Sequence, residues 1–141
     1  MNDATQRRLA FHGATVILLG LLAGFPYAMV VSGDLEGTER AWRMAHMEGV
    51  TNGLLIFGVA ALLPVLRLGD AGRRALTGCL LFTAYANTVA SIIGASTQNR
   101  GLAFGGSLAN TVVFLLFTFA VVTIFATVGL VIQGARGRAT D

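Results

Sequence analysis

Few side chains in this 141-residue sequence are suited to acid–base, nucleophilic or metal-binding chemistry. The chain has two histidines, His12 and His46, and a single cysteine, Cys79. One cysteine excludes a disulfide framework and a cysteine-rich zinc or iron–sulfur site. Two histidines are too few for a membrane cytochrome in which histidine pairs hold two haems. The histidines are therefore the first candidates for chemistry, and their surroundings decide what that chemistry is.

The composition places these residues in a lipid environment. Hydrophobic residues make up 55% of the chain and charged residues only 12%, with a mean hydropathy of +0.71. Soluble domains carry roughly 25% charged residues. The net charge of +3 comes from scattered arginines that form no basic stripe, so nucleic acid is not an expected partner. The sequence therefore predicts an integral membrane protein.

Four charge-free stretches mark the expected membrane spans. They cover residues 9–33, 49–66, 75–99 and 101–135, and a spanning helix needs about 20 mostly apolar residues. The last stretch is too long for one span and begins with a glycine-rich segment, whereas the second is short and is extended upstream to Trp42. We predict an all-α protein, a four-helix transmembrane bundle forming a single transmembrane domain over 1–141. Its helices are expected at roughly 9–33, 42–66, 75–97 and 107–133.

The arginines predict the orientation of this bundle. With four spans, one side holds Arg7, Arg8, Arg67, Arg73, Arg74, Arg136 and Arg138, and the other holds Arg40, Arg43 and Arg100. The excess of basic residues marks the cytoplasmic side. Both termini are therefore expected in the cytoplasm of a multi-pass protein in a bacterial-type inner (cytoplasmic) membrane. A cleaved signal peptide is not expected, because the first apolar run is too long and lacks a cleavage site.

Polar residues inside the spans are expensive in lipid and are the default candidates for function. They are His46, Glu48, Thr51 and Asn52 in helix 2, Thr83, Tyr85, Asn87, Thr88 and Ser91 in helix 3, and Asn110, Thr111, Thr118, Thr123 and Thr127 in helix 4. Asn52 lies about 9 Å deeper than His46 at 1.5 Å per residue. Ser91 is expected at a similar depth, with Asn87 nearer the middle, so these residues can form one polar layer. Alternatively, the asparagines only bond between helices and the threonines bond to their own backbone.

His46 has two interpretations at this stage. Gly49, Gly53 and Phe57 lie within about 60° of its helix face, so the histidine stands above a bare strip on which a planar macrocycle ligated by His46 can lie. Alternatively, His46 is an ordinary interfacial side chain and the glycines serve helix packing. A Ser–His–Asp triad is excluded because the spans contain no aspartate.

Three sequence blocks surround these residues. The first is Ala41-Trp42-Arg43-Met44-Ala45-His46, continuing to Asn52-Gly53. The second is Ala86-Asn87 followed by Gln98-Asn99-Arg100-Gly101-Leu102-Ala103-Phe104-Gly105, and the third is Arg8-Leu9-Ala10-Phe11-His12-Gly13. In their order along the chain and in their spacings, the blocks resemble the styrene oxide isomerase family. The resemblance covers most of the chain and fades in helix 4 and the C-terminal tail.

The resemblance implies a four-helix membrane protein that assembles as a homotrimer and binds haem b between its subunits. In that family the ferric iron acts as a Lewis acid on a small aryl epoxide such as styrene oxide. The epoxide becomes an arylacetaldehyde by a Meinwald rearrangement with a 1,2-hydride shift, a reaction of styrene degradation. The family's axial histidine falls on His46, and an asparagine near the substrate oxygen falls on Asn52.

Other site residues are expected around these two. Gly49 and Gly53 would seat the haem, Arg100 would pair with a haem propionate, and Asn87 would belong to the catalytic polar layer. The family's substrate-facing tyrosine on the third helix falls on Ser91, whose hydroxyl is shorter. Tyr85 is no simple substitute because it lies about 9 Å along the helix axis.

This departure at Ser91 keeps other functions open. One alternative is a haem b-binding membrane protein with a redox or sensing role and no isomerase activity. The other is a small transporter or structural bundle without a cofactor.

Overall fold

The computed structural model of this chain describes residues 3–137, which leaves Arg138 outside the described residues. Within that range the regular elements are four α-helices: α1 (Asp3–Ser32), α2 (Glu39–Leu62), α3 (Asp70–Thr97) and α4 (Leu108–Ala135). Each helix is long and apolar enough to cross a membrane. The predicted all-helical, four-span fold is confirmed. The side of the membrane on which the termini lie stays a prediction.

The helices extend beyond the charge-free stretches at several ends. α1 begins at Asp3 and α3 at Asp70, earlier than 9 and 75, because hydropathy marks the part of a helix in lipid and not where its backbone bonding starts. α2 instead ends early, at Leu62. Pro64 has no N–H to donate to the carbonyl of Ala60, and that carbonyl accepts a bond from Gln6 Nε2 (3.4 Å).

The four helices run up and down in chain order. α1 packs on α2, α2 on α3 and α3 on α4, with a smaller contact between α1 and α3. The amide of Arg67, in the α2–α3 connection, donates to the carbonyl of Gly134 near the end of α4 (3.0 Å). The start of α1, the α2–α3 connection and the end of α4 therefore lie together, and we call this the terminal end of the bundle. The α1–α2 and α3–α4 loops lie at the opposite end, the loop end.

Glycines bring α1 and α2 into backbone contact. A Cβ on Gly20 would lie 2.6 Å from the amide nitrogen of Val50, and a Cβ on Gly49 would overlap the Cα of Gly20. A Cβ on Gly53 would lie 2.7 Å from the carbonyl oxygen of Gly13. The expectation of a bare strip at Gly49 and Gly53 is therefore corrected: both residues are buried under α1. Glycine allows this approach because it has no side chain to separate the backbones.

The contact predicts a large difference between two glycine substitutions in α2. Gly49→Ala forces the α1 and α2 backbones apart and is expected to cost about 1–3 kcal/mol of unfolding free energy, typical of overpacking. A Cβ on Gly58 meets nothing within 4 Å, so Gly58→Ala is the matched control and is expected to be neutral or stabilising. Unfolding midpoints of the purified variants in one detergent measure the effect. Equal midpoints would contradict the close contact.

Two apolar clusters define the register of α2 against α3. The first cluster, toward the terminal end, includes Ile56 and Val59 of α2 with Leu76, Leu80 and Ala84 of α3. The second, toward the loop end, includes Trp42 and Ala45 of α2 with Ala95 of α3. Because the helices are antiparallel, the segment of α2 around Asn52 lies level with the turn of α3 that carries Thr88 and Ser91. The helices therefore place these polar residues between two apolar layers.

Candidate functional site

The imidazole of His46 is held by α1. Its Nδ1 lies 2.8 Å from the carbonyl oxygen of Gly20, and because a carbonyl only accepts, Nδ1 carries the hydrogen and donates it. The ring of Tyr27 lies nearly parallel to the imidazole, at 13° with centroids 6.5 Å apart. A Cβ on Gly24 would come within 3.1 Å of Nδ1. The bond to Gly20 determines the tautomer of the neutral imidazole: Nδ1 carries the hydrogen, and Nε2 keeps a lone pair that can bind a ligand.

This arrangement fits a metal ligand. Metal-ligating histidines commonly donate their other ring N–H to a backbone carbonyl or a carboxylate, which orients the ring and raises its basicity. Among residues 3–137, no group of three or more His, Cys, Asp or Glu side chains is arranged to hold a metal ion. A single histidine suits a metal that brings its other ligands with it, as haem iron does. His46 and the residues that orient it therefore fit the binding of a haem iron.

Asn52 forms a pair with Glu48 one turn earlier in α2. The Asn52 side chain is only 6% exposed, and its Nδ2 donates to the Glu48 backbone carbonyl (2.8 Å) and to Glu48 Oε2 (2.7 Å). Both partner atoms are acceptors, so the amide nitrogen must face them. The amide oxygen is the group that this pair leaves unused. The resemblance places Asn52 near the substrate oxygen, and donation from Nδ2 to that oxygen would require the amide to leave Glu48.

Sequence reasoning did not assign a role to Glu48. It listed Glu48 among the polar residues of the second span, and the structure places this residue well inside α2. The spacing of four residues between Glu48 and Asn52 was the available signal, because side chains at i and i+4 are neighbours on a helix.

Ser91 carries a buried hydroxyl without a partner. The side chain is 2% exposed, and within the described part of the chain its Oγ forms no hydrogen bond. The nearby Thr88 hydroxyl instead donates to the carbonyl of Ala84 (2.8 Å). A buried polar group left unpaired costs about 1–3 kcal/mol and calls for a bound water or ligand group to explain it. Ser91 is thus a candidate contact for a small molecule.

The structure brings only part of the expected site together. Asn52 and Ser91 share the α2–α3 interface, and Asn87 is half-buried one turn from Ser91. His46, however, faces α1, and at 100° per residue it points about 120° away from Asn52 around α2. Arg100 is exposed in the α3–α4 loop, at the same end of the bundle as His46. One protomer therefore does not place His46 and Asn52 on the same side of α2.

The remaining histidine and tyrosine form a separate pair. His12 Nδ1 and the Tyr85 hydroxyl lie 2.9 Å apart, joining α1 to α3. His12 is near the start of α1, close to the terminal end, and is half-buried. This contact engages the Tyr85 hydroxyl away from Ser91, consistent with the expectation that Tyr85 does not substitute for a tyrosine at that position.

The loop that carries Arg100 is organised by Asn110 at the start of α4. Asn110 Oδ1 accepts from the amide of Gly101 (3.1 Å), and Nδ2 donates to the carbonyls of Ala103 (2.9 Å) and Gly105 (2.8 Å). Gly101 has a φ of 60° and Gly105 a φ of 104°, conformations that glycine adopts without strain. One side chain therefore holds the loop that follows Arg100.

Replacing Asn110 is expected to release this loop. Asn110→Ala removes three hydrogen bonds, and we expect a loss of about 1–3 kcal/mol of unfolding free energy together with faster trypsin cleavage after Arg100. Thr118→Ala is the matched control in α4, because the Thr118 hydroxyl bonds only to the carbonyl of Phe114 in its own helix. Unfolding midpoints and the cleavage rate measure the effect. Cleavage at the control's rate would contradict the role of Asn110.

Taken together, the fold and these residues define a multi-pass helical membrane protein with an oriented histidine and a buried polar layer. The family described as styrene oxide isomerase matches this sequence over residues 5–136. The chain belongs to that family, which confirms the resemblance drawn from its motifs.

Two curated relatives indicate the kind of reaction. The chain is 31% identical over 122 residues to the hydroxylaminobenzene mutase HabB of Ectopseudomonas oleovorans, covering 84% of this chain and 71% of that protein. It is 29% identical over 117 residues to the styrene-oxide isomerase of Pseudomonas fluorescens, covering 74% of this chain and 69% of that protein. Both names describe enzymes that rearrange a small molecule, which supports an isomerase-type activity here.

Proposed function

We propose that this protein is a haem-dependent membrane isomerase that rearranges an aryl epoxide, such as styrene oxide, to an arylacetaldehyde. The observation that carries the proposal is the hydrogen bond from His46 Nδ1 to the Gly20 carbonyl, which leaves Nε2 as the ligating nitrogen. When bound, haem b in its ferric form supplies a Lewis acid that polarises the epoxide oxygen. The residues of the chain then hold this group, orient the substrate and exclude water.

The two ends of the bundle divide the roles of the basic side chains. His46 would hold the haem iron through Nε2 near the loop end, and Arg100 at the same end would supply a positive charge for a haem propionate. His12 is paired with Tyr85 toward the terminal end. His12 would therefore not compete with substrate for the haem iron, which this chemistry requires.

The apolar bundle supports the rearrangement by excluding water. Opening of the benzylic C–O bond is followed by a hydride shift from the neighbouring carbon, which yields the aldehyde with no net gain or loss of atoms. Water at this stage would instead give a diol. The interior between α2 and α3 is apolar on both sides of the layer that contains Asn52 and Ser91, and such a dry site suppresses side reactions.

The opposed directions of His46 and Asn52 favour a site shared between subunits. Within one protomer these side chains point about 120° apart around α2. In a homotrimer, a haem held by His46 of one subunit would be able to share a substrate with Asn52 of another. This arrangement accounts for both residues in one reaction, and a monomer would not.

The Glu48–Asn52 pair favours a second candidate, the rearrangement of an aryl hydroxylamine. Because both hydrogens of Asn52 Nδ2 bond to Glu48, the unused group is the acceptor Oδ1. Hydroxylaminobenzene, which the similar mutase acts on, carries N–H and O–H donors that this oxygen can accept, whereas an epoxide carries none. The unpartnered Ser91 hydroxyl can bond to either substrate.

One experiment separates these candidates. The detergent-purified protein is examined by absorption spectroscopy and then incubated in parallel with styrene oxide and with hydroxylaminobenzene. A Soret band with phenylacetaldehyde supports the epoxide isomerase, and a Soret band with an isomer of hydroxylaminobenzene supports the second candidate. A Soret band without either product favours a redox or sensing role. A colourless protein that binds no added haem would overturn the proposal.

A further inference from the structure

Three arginines line a cavity at the terminal end of the bundle. The cavity measures about 720 Å³ and lies between the start of α1, the α2–α3 connection and the start of α3. Among the residues whose side chains the structure describes, its lining includes Arg8, Arg73 and Arg74 against a single carboxylate, that of Asp70. Thr5 and Gln6 add polar groups. The balance of charge among these described residues is positive, which suits an anion.

The three arginines are engaged to different degrees. Arg73 donates to the carbonyls of Leu68 (3.0 Å), Leu66 (3.1 Å) and Leu63 (3.4 Å), so its guanidinium contacts backbone and not a carboxylate. It closes the end of α2 and keeps its charge in the cavity wall. Arg8 and Arg74 are exposed. Their positions make them the side chains able to reach an anionic group.

An apolar groove adjoins this cavity. It measures about 410 Å³, and Arg8 lines both spaces. The rest of the groove consists of His12 and Tyr85, which bond to each other, with the apolar side chains Leu81, Phe82, Ala86, Val89 and Leu116. From Leu81 to Val89 the groove follows α3 for about 12 Å. This length is close to one leaflet of a hydrocarbon core that is about 30 Å thick.

We propose that the arginine-lined cavity and the groove form one binding site for an anionic phospholipid. The phosphate of the headgroup lies in the cavity with Arg8 and Arg74, and an acyl chain lies in the groove along α3. Basic pockets between membrane helices recognise lipid headgroups in this way. The cavity lies at the opposite end of the bundle from His46 and Arg100, so headgroup binding does not depend on the proposed reaction, while the groove runs along α3 as far as Val89.

Binding of the lipid headgroup in the cavity is tested by measuring lipid binding to the full-length purified protein. The probes are phosphatidylglycerol and phosphatidylcholine with identical acyl chains, and bound lipid is counted by native mass spectrometry. We expect tighter binding of phosphatidylglycerol, weakened about fivefold by either Arg8→Gln or Arg74→Gln. Arg40→Gln is the control, because it removes the same charge at the loop end. Equal weakening by Arg40→Gln, or equal binding of the two lipids, would overturn the proposal.

The groove is tested by filling it. Val89 lines the groove and Val122 on α4 does not, and both side chains are exposed on the outer surface of the bundle. Val89→Trp is expected to lower bound phosphatidylglycerol at least fivefold at an unchanged oligomeric mass, whereas Val122→Trp leaves it unchanged. Equal amounts of bound phosphatidylglycerol in the two variants would overturn the assignment of the groove to an acyl chain. A change of oligomeric mass in Val89→Trp would also overturn it, because a second copy of the chain would then cover the groove.

A further measurement does not require a folded variant. Inorganic phosphate carries the headgroup's charge without an acyl chain, so it should not displace phosphatidylglycerol from the wild-type protein at millimolar concentrations. Full displacement would show a simple anion site and overturn the lipid assignment. Resistance to displacement supports the combined site.

Discussion

Haem is expected to be lost from the purified protein when His46 is replaced by alanine. The Nδ1 atom of His46 is bonded to the Gly20 carbonyl, which orients Nε2 as the ligating nitrogen in our proposal. Removing a residue that only supports a ligand typically lowers metal affinity about 10–100-fold, and removing the ligand itself should lower it further. We therefore expect haem affinity to fall by more than about 100-fold. The ratio of Soret absorbance to protein absorbance measures the effect.

The other histidine provides the control for this experiment. His12→Ala removes the bond to Tyr85 at the terminal end and leaves the Gly20–His46 contact in place. We expect it to retain haem at the wild-type ratio. Membrane insertion and the unfolding midpoint of His46→Ala show whether the variant still folds. Full haem content in His46→Ala, or equal loss in His12→Ala, would contradict the axial assignment.

Turnover is expected to fall about 10²–10³-fold when Asn52 is replaced by alanine, with haem content unchanged. A loss of this size is typical when an enzyme loses one oriented hydrogen-bonding group at the site of developing charge. His46, the proposed haem ligand, is on a different face of α2, so the cofactor should be retained. The rate constant kcat with each substrate measures the effect, and an unchanged rate would reduce Asn52 to a packing residue.

A double substitution tests which atom of Asn52 acts. In Glu48→Gln/Asn52→Asp the side-chain donor and acceptor are exchanged, so the bond between the two side chains can form in the opposite direction, while the bond from position 52 to the Glu48 backbone carbonyl is lost. The side chain at 52 then offers only acceptors. A reaction that needs an acceptor, as proposed for an aryl hydroxylamine, should stay within about tenfold of the wild-type rate.

A reaction that needs a donor to the epoxide oxygen should instead fall as far as in Asn52→Ala. Glu48→Gln alone is the control, because glutamine can still accept a bond from Asn52. Equal losses with both substrates would contradict the distinction between donor and acceptor roles.

Much of the architecture was predictable because the bilayer restricts what a sequence can do. Uncharged runs of about 20 residues must become helices that satisfy their own backbone hydrogen bonds. Four such runs therefore predict four spans without knowledge of any contact between them. The helix ends were less predictable, because backbone bonding in α1 and α3 continues past the lipid to Asp3 and Asp70.

The candidate site was predictable as a set of residues and not as an arrangement. His46, Asn52 and Ser91 stand out because polar groups are costly in lipid, and the motifs around them resemble those of a known family. The face that each presents depends on which helix packs beside it. α1 covers Gly49 and Gly53, which on the sequence appeared as an open strip below His46.

The amino-acid order thus contains the membrane class, the number of spans and the family, since these follow from hydropathy and motif spacing along one chain. The tertiary structure decides that Gly20 orients His46, that Glu48 holds both amide hydrogens of Asn52, and that Ser91 is left without a partner. Two of these features depend on how neighbouring helices pack. The Glu48–Asn52 pair lies within one helix, but its geometry depends on the rotamers that burial against α3 permits. Such directions are set by packing in three dimensions, which hydropathy and spacing do not encode.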